Sequence, residues 1–169
     1  VRNFTSIHNY FDGIAGYETE DSIFENLFLH NNCAAGVSTD IRFKNNLMSN
    51  VVITREPADM SCSEPEQVLG TVGMFIRDSK ENIFDNIQIR SQREHGIFLA
   101  QVDLDPGTSA TGNIFTNMVI ESSQGYGMRI NDASCINNMI NNAQFIGNSA
   151  GCLSAALGAN PQVNGSVCR

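Results

Sequence analysis

The sequence predicts an all-β solenoid in which about six coils of short parallel strands stack along one axis. Two observations carry this prediction. A five-residue pattern (polar, apolar, apolar, any residue, Asn) recurs along the chain, and apolar residues alternate with polar ones after each copy. One short repeat cannot bury its own apolar face, so neighbouring repeats must stack and share a core.

The pattern itself supplies the first strand of each coil. A weak first copy occupies residues 2–6, and the clear copies are Ser22–Asn26, Asn46–Asn50, Asn82–Asn86, Asn113–Asn117 and Asn138–Asn142. The closing Asn residues are separated by 24, 36, 31 and 25 residues. A constant pattern at variable spacing is typical of a coil whose extra residues bulge outward as loops.

Two further short strands are predicted in each coil. After the closing Asn, the first and third residues are apolar, as Ile87 and Ile89 are, and this is the period of a strand with one buried face. A Gly then opens a second alternating stretch, for example over residues 96–99. We therefore expect three short strands in each coil.

The recurring Asn residues have a structural explanation. At one corner of successive coils, their amides can hydrogen-bond to the copy above and form a ladder along the axis. Asn also tolerates the left-handed backbone that a tight corner requires. We therefore expect these residues to support the fold rather than to bind a ligand.

The chain is long enough for one domain, with coils over residues 1–156 and a C-terminal cap over residues 157–169, where the repeat is missing. Residues 55–71 and 101–112 interrupt the repeat and contain Pro, Gly and acidic residues, so both are predicted to protrude as loops. The chain opens directly in strand-like sequence. We therefore expect further chain, or a partner, to cover the edge of the first coil.

These repeats resemble the right-handed parallel β-helix family, which includes pectate lyases, polygalacturonases and phage tailspikes. The resemblance covers nearly all of residues 3–156 and implies the handedness of the coil. In style the chain is most similar to the tailspike and polysaccharide-depolymerase modules. That similarity implies a glycan or polysaccharide partner, an extracellular, cell-surface or virion location, and a homo-oligomer, either a trimer or a filament.

Composition limits the choice of partner. The net charge is −8 and the chain has only two lysines, so nucleic acid is not expected as a partner. Neutral or mildly charged glycans fit better than strongly anionic ones, unless a local arginine cluster overrides the net charge. No run of 18 apolar residues is present, so no membrane span is predicted. In an oxidising compartment, a disulfide between Cys152 and Cys168 could pin the C-terminal cap.

A candidate ligand-binding face follows from the strand that each Gly opens. Its outward row is predicted to contain Ala15, Ser38, Phe75, Phe98, Arg129 and Leu153. Phe75 and Phe98 belong to adjacent coils, and their rings are expected to stack about 4.8 Å apart. Outward aromatic residues mark a contact surface. Three roles are open for this pair: it lies beneath a folded loop, it lines a subunit interface, or it forms a platform for sugar rings. In the third case the predicted binding residues are Phe75, Phe98, Arg129 and Asp132.

Candidate catalytic residues come from a partial resemblance. Residues 94–96, Glu-His-Gly, and 129–131, Arg-Ile-Asn, are similar to the Gly-His-Gly and Arg-Ile-Lys motifs of polygalacturonase-like hydrolases. The carboxylate motifs of that family are missing, and Asp78 is the nearest substitute. An inverting hydrolase needs an acid and a base on opposite sides of the sugar bond. The candidates are therefore Glu94, His95, Asp78 and Arg129.

A lyase would instead need a base beside a charge-neutralising metal. Asp103 and Asp105 lie in the 101–112 loop and could hold Ca²⁺ through their carboxylate oxygens, with Asp78 nearby. These residues are the only metal-ligand candidates that the sequence suggests, and otherwise no cofactor is expected.

Three functions remain open at this stage. The first is an extracellular or virion module that binds, and in some cases cleaves, a bacterial surface polysaccharide. The second is a non-enzymatic structural or adhesive module, such as a fibre or filament subunit. The third is a polygalacturonase-like hydrolase or a polysaccharide lyase. The sequence does not decide whether the chain is an enzyme.

Overall fold

The computed structural model describes residues 1–56 and 71–169 and consists almost entirely of short strands. In chain order the elements are β1 (Arg2–Ile7), β2 (Ile14–Tyr17), β3 (Ile23–His30), β4 (Val37–Ile41), β5 (Phe43–Lys44), β6 (Leu47–Thr54), β7 (Met74–Ile76), β8 (Ser79–Lys80), β9 (Ile83–Arg90), β10 (Ile97–Leu99), a 3₁₀ helix (Pro106–Thr108), β11 (Ile114–Glu121), β12 (Tyr126–Ile130), β13 (Met139–Ile146), β14 (Gly151–Ala155), β15 (Gln162–Asn164) and β16 (Val167–Cys168).

The strands pair in parallel into two long sheets, as a stacked coil requires. The first sheet has the order β1-β3-β6-β9-β11-β13, and both β15 and β16 pair with β13 at its end. The second sheet has the order β2-β4-β7-β10-β12-β14, and β5 pairs with β8 in a small third sheet. This arrangement confirms the predicted all-β solenoid of about six coils.

The strands of the first sheet bend at the closing Asn of each pattern. The two strands predicted on either side of that Asn join into one eight-residue strand, such as β9. The closing Asn residues have φ angles between 51° and 58°, as the prediction of a left-handed corner requires. Each therefore turns the chain without ending the strand.

The core consists of apolar rows that run along the axis. Leu27, Val51 and Ile87 are in register on adjacent strands, and each is at most 2% exposed. The buried rings of Phe84 and Phe115 stack with centroids 4.8 Å apart. Most of the Gly residues that open the strands of the second sheet are needed for close packing: a Cβ on Gly96 would overlap Ile120 and lie 2.5 Å from a backbone oxygen of the next coil.

The closing Asn residues form the predicted ladder on the surface. The Asn86 amide donates to Oδ1 of Asn50 at 2.7 Å, and the Asn142 amide donates to Oδ1 of Asn117 at 2.8 Å. One step differs, because Asn117 donates to Oδ1 of Asp85 instead of bonding to Asn86. The ladder is exposed to solvent at every one of these steps.

A second Asn ladder lies inside the coil, at the opening position of the pattern. Oδ1 of Asn82 accepts the backbone N–H of Asn46 at 2.8 Å, and Oδ1 of Asn113 accepts the backbone N–H of Asn82 at 3.2 Å. Asn46, Asn82, Asn113 and Asn138 are at most 2% exposed. These buried amides satisfy backbone donors at a corner where no strand partner is available.

The C-terminal residues lie on the last coil. β15 and β16 continue the register of β13. A disulfide joins Cys152 to Cys168, with their Cα atoms 5.8 Å apart, which is the pairing that the sequence suggested.

One predicted position in the outward row of the second sheet is wrong. Arg129 pairs with Ser154, whereas Leu153 pairs with Met128 and packs against the core. The predicted register assumed that Gly127 and Gly151 are equivalent. In the structure Gly151 pairs with Tyr126, so the observed register is shifted by one residue. The proposed loop over residues 55–71 lies outside the described residues, apart from its ends.

Candidate functional site

The largest group of predicted site residues meets on the outward face of the second sheet. Phe75, Phe98 and Arg129 are in register on β7, β10 and β12. They border a groove with a volume of about 770 Å³, together with Glu94, His95 and Asp132 from the turns and with Asp103 and Leu104 from the 101–112 loop. The structure therefore brings most of the candidate catalytic and binding residues to one place.

The aromatic side chains form the floor of the groove. The rings of Phe75 and Phe98 are nearly parallel, with centroids 5.5 Å apart, and the imidazole of His95 is parallel to Phe98 at 5.7 Å. Phe75 is only 7% exposed because Ala35, Val72 and Phe98 pack around it. Phe98 is half-buried. Phe98 therefore offers more surface to a ligand than Phe75 does.

Two arginines lie over these rings. The guanidinium of Arg77 is 4.7 Å from the Phe75 centroid and pairs with Asp40 at 2.5 Å. The guanidinium of Arg129 is 5.9 Å from the Phe98 centroid. Within residues 1–56 and 71–169, no carboxylate lies within ion-pair distance of Arg129. A ligand can therefore reach the Arg129 guanidinium without breaking an ion pair of the described residues.

His95 is held in one orientation by its neighbours. Its Nδ1 accepts the backbone N–H of Tyr126 at 2.9 Å, so the neutral ring carries its proton on Nε2. Burial lowers the pKa of His95 below its ordinary value, and the positive charge of Arg129 lowers it further. A Cβ on Gly125 would overlap the imidazole, so the turn can approach this closely only with Gly. His95 is therefore a neutral N–H donor near pH 7.

The acidic candidates Asp132 and Glu94 differ in the hydrogen bonds that they already make and in their exposure. Oδ2 of Asp132 accepts the backbone N–H of Gln101 at 3.0 Å, and this bond ties the start of the 101–112 loop to the next coil. Glu94 is exposed at the edge of the groove. Asp132 therefore has a structural role as well as a position in the groove.

Asp78 is placed elsewhere. It is buried, its Oδ2 accepts the backbone N–H of Arg42 at 2.8 Å, and its Oδ1 lies 3.7 Å from Nζ of Lys80. With a φ of 37°, it turns the corner that follows β7, and it does not line the groove. The structure does not bring Asp78 to the other catalytic candidates.

The two suggested Ca²⁺ ligands, Asp103 and Asp105, have different roles in the structure. Oδ1 of Asp105 accepts the backbone N–H of Gly107 at 2.8 Å and caps the 3₁₀ helix, whereas Asp103 lines the groove. In the part of the chain that the structure describes, no group of three or more His, Cys, Asp or Glu side chains is placed to hold a metal ion.

Sequence reasoning did not find Arg77, one of the arginines that flank the floor. Arg77 and Arg93 line the groove with Arg129, so three of the ten basic residues of the chain meet there. Arg77 follows Phe75 by two positions and shares its outward side, so the period-2 alternation contained a signal for it. The groove is therefore less acidic than the net charge of −8 suggests.

Comparison with known proteins agrees with this architecture. A family model described as a right handed beta helix region matches residues 1–167. No curated protein and no solved structure matches the chain. Among the described residues, no helix has the length and apolar character needed to cross a membrane.

Proposed function

Because the chain belongs to the right-handed β-helix family, whose stacked coils present a continuous outward face, we propose that it is an extracellular or virion module that binds a polysaccharide in the groove over β7, β10 and β12. The observation that carries the proposal is a cavity of about 770 Å³ with an aromatic floor and a polar rim. Ligand sites typically have this size and composition. A pyranose matches both parts, since it has apolar C–H faces and hydroxyl groups that need hydrogen-bond partners.

The polar rim supplies both donors and acceptors. His95 and Arg129 offer N–H groups, and Glu94 and Asp103 offer exposed carboxylate oxygens. The 101–112 loop closes one side of the groove through Asp103 and Leu104. Sugar hydroxyls both donate and accept hydrogen bonds, so a mixed rim suits them better than it suits a purely apolar ligand.

An oxidising location is part of the proposal. The disulfide between Cys152 and Cys168 supports it, because such bonds persist outside the reducing cytosol. A bacterial surface polysaccharide, as met by a tailspike-like protein, is the ligand class that we propose for this setting.

Cleavage of the polysaccharide is a second candidate. Glu94 and Asp132 line the groove that contains His95, so two carboxylates and an imidazole meet there. However, Asp132 is bonded to the backbone of the loop, and Nδ1 of His95 is occupied by Tyr126. Neither group is arranged as a free general base. Binding without cleavage is therefore the function that we put forward.

A homo-oligomer, either a trimer or a filament, is proposed for the assembled protein. The supporting observation is an outward apolar row in register along the first sheet, in which Ile23 is 46% and Ile83 43% exposed. Leu47, between them, is partly exposed. Exposed apolar side chains that lie together in a row are typical of a contact surface. Light scattering at a protein concentration of about 100 μM, which is high enough to detect weak self-association, tests this proposal. The mass of a monomer under these conditions would contradict it.

The binding proposal is tested with a panel of bacterial polysaccharides and one matched pair of variants. Phe98→Ala removes the half-buried ring of the groove, and Phe28→Ala removes an exposed ring of the first sheet. We expect Phe98→Ala to weaken binding about tenfold or more, since a buried Phe contributes about 1.5–3 kcal/mol. Phe28→Ala should bind as the unchanged protein does.

The same incubation detects cleavage. Shortening of the polysaccharide that disappears in Glu94→Gln would establish an enzyme and displace the binding-only proposal. Equal loss of binding in Phe98→Ala and Phe28→Ala would show that the groove is not the site.

A further inference from the structure

The first sheet carries a row of apolar residues on its outward side, which we call the apolar row. Its members are in register on β3, β6, β9, β11 and β13, and they are Ile23, Leu47, Ile83, Ile114 and Met139. Ile23 and Ile83 are 46% and 43% exposed, and the other three are partly exposed. Neighbouring strands are about 4.8 Å apart, so the row is about 19 Å long.

Polar residues lie on both sides of the apolar row. The corner row, which precedes each strand, consists of Asp21, Asn45, Glu81, Gly112 and Asn137. The strand row, two positions after each member of the apolar row, consists of Glu25, Ser49, Asp85, Thr116 and Asn141. All the acidic residues of these two rows lie at the level of β3 or β9. The levels of β11 and β13 carry no charge in either row.

These charges disfavour a parallel contact between two copies of the chain. If two apolar rows pack face to face and run in the same direction, the corner row of one copy faces the strand row of the other at the same level. Glu81 then meets Asp85 of the second copy, and the acids at the level of β3 meet in the same way. Like charges that are brought together across an interface repel. Lys44 pairs with Glu81 at 3.7 Å within one copy and offsets only part of this repulsion.

An antiparallel contact matches the apolar residues equally well. We place a two-fold axis between the levels of β9 and β11. Ile83 then faces Ile114 of the second copy, and Leu47 faces Met139. A two-fold contact is isologous, so a single row is complementary to itself.

The antiparallel contact also removes the repulsion. Each corner row faces the other corner row in reverse order, and each strand row does the same. Glu81 therefore faces Gly112 of the second copy, and Asp85 faces Thr116. The same direction brings the acidic coils of one copy against residues 133–169 of the other, which contain no Asp or Glu.

We propose that the apolar row binds the same row of a second copy of this chain in an antiparallel, two-fold pair. This inference rests on the proposed homo-oligomer and specifies the contact within it. A filament can repeat such pairs, whereas a three-fold trimer needs parallel copies at this row. The groove lies on the second sheet, so the pair leaves it accessible.

The expected pair is weak. The three rows contain fewer residues than the roughly 20–30 that each side of a standard interface uses. We therefore expect a Kd of about 1–100 μM, and sedimentation velocity from about 5 to 300 μM should show a shift from monomer to dimer.

Two variants test whether the apolar row is the contact. Ile83→Asp places carboxylates at the apolar centre of the pair and should weaken it at least about tenfold. Ile41→Asp is the matched control, because Ile41 is 44% exposed and lies on β4 of the second sheet. The control should pair as the unchanged protein does.

A cross-linking experiment tests the direction of the two copies. Leu47→Cys and ¹⁵N-labelled Met139→Cys are treated separately and as a mixture with a bismaleimide that spans about 8 Å, which suits side chains on sheets packed about 10 Å apart. The native thiol of Cys135 is buried, and the unchanged protein controls for its reaction.

The mixture should give a cross-linked heterodimer, which mass spectrometry identifies by the label. Each variant alone should give little product, because its two thiols are three layers, or about 14 Å, apart along the axis of the antiparallel pair.

The other outcomes contradict separate statements. A product from Leu47→Cys alone, or the mass of a trimer, would overturn the antiparallel pair and leave the homo-oligomer standing. Equal weakening by Ile83→Asp and Ile41→Asp would show that the apolar row is not the contact. A monomer at every concentration would overturn both the pair and the homo-oligomer, whereas polysaccharide binding in the groove is measured independently.

Discussion

The buried Asn ladder makes a quantitative prediction about stability. Asn82 is fully buried, and its Oδ1 is the acceptor that the structure provides for the backbone N–H of Asn46, at 2.8 Å. Its Nδ2 has two hydrogens to donate, and three acceptors lie within hydrogen-bond distance: Phe43 O at 2.9 Å, Ser79 Oγ at 3.0 Å and Asn113 Oδ1 at 2.9 Å. Replacement by Leu, which is similar in size, would remove all of these bonds and leave a buried backbone N–H without an acceptor.

The size of the effect follows from these contacts. An unsatisfied buried donor costs about 1–3 kcal/mol, and each lost hydrogen bond costs about 0.5–1.5 kcal/mol net. With one unsatisfied donor and two lost amide bonds, we expect Asn82→Leu to lower the free energy of unfolding by about 2–6 kcal/mol. That is a large part of the total stability of a typical domain, which is about 5–15 kcal/mol.

The matched control is Asn86→Gly, four residues further along the same coil. Asn86 is exposed, and its amide makes one bond to Asn50. Gly accepts its φ of 52° without strain, so the loss should be below about 1 kcal/mol. Urea denaturation followed by circular dichroism measures both variants. If Asn82→Leu and Asn86→Gly destabilise by the same amount, the buried ladder does not have the role argued here.

Three further predictions concern other parts of the molecule. Burial raises the pKa of Asp12, so the folded state binds the proton more tightly and stability falls as pH rises above the ordinary pKa of Asp. Asp12→Asn should therefore raise the melting temperature at pH 7 and leave it unchanged at pH 3. An equal rise at both pH values would contradict this. Replacing Cys152 and Cys168 together by Ser should destabilise the last layer by about 3 kcal/mol, as for a closed loop of similar length. Hydrogen exchange should then rise in β15 and β16 but not in β9, and unchanged protection of β15 and β16 would count against it. Gly125→Ala should displace the His95 ring, and ¹⁵N NMR should show the loss of its single tautomer, whereas an unaltered His95 signal would refute the packing argument.

Most of the fold could be predicted from local pattern. The alternation after each closing Asn determines which side chains face inward, because successive side chains of a strand point to opposite faces. The left-handed corner was also predictable, because Asn is one of the few residues that accepts that backbone. The sequence did not predict that Asn82 is buried and Asn86 exposed, because the first and last positions of the pattern carry the same side chain.

The register of the last coil shows a second limit. Leu153 was expected in the outward row, and Ser154 is the residue beside Arg129. The pattern near Gly151 allows either alignment, and a shift of one residue exchanges the two faces of a strand. Contacts with the neighbouring coil decide between them, and these are not visible in a local pattern.

The sequence alone determined the repeat, the inward and outward faces of most strands, and the pairing of Phe75 with Phe98 on adjacent coils. Tertiary structure alone decided that Asp78 stays away from the groove, that Arg77 pairs with Asp40, and that Tyr126 fixes the tautomer of His95. The physical reason is the range of the interactions. Alternation and backbone preference act between neighbours in the chain, whereas the groove is built from residues of three coils whose relative positions depend on stacking and on loops of unequal length.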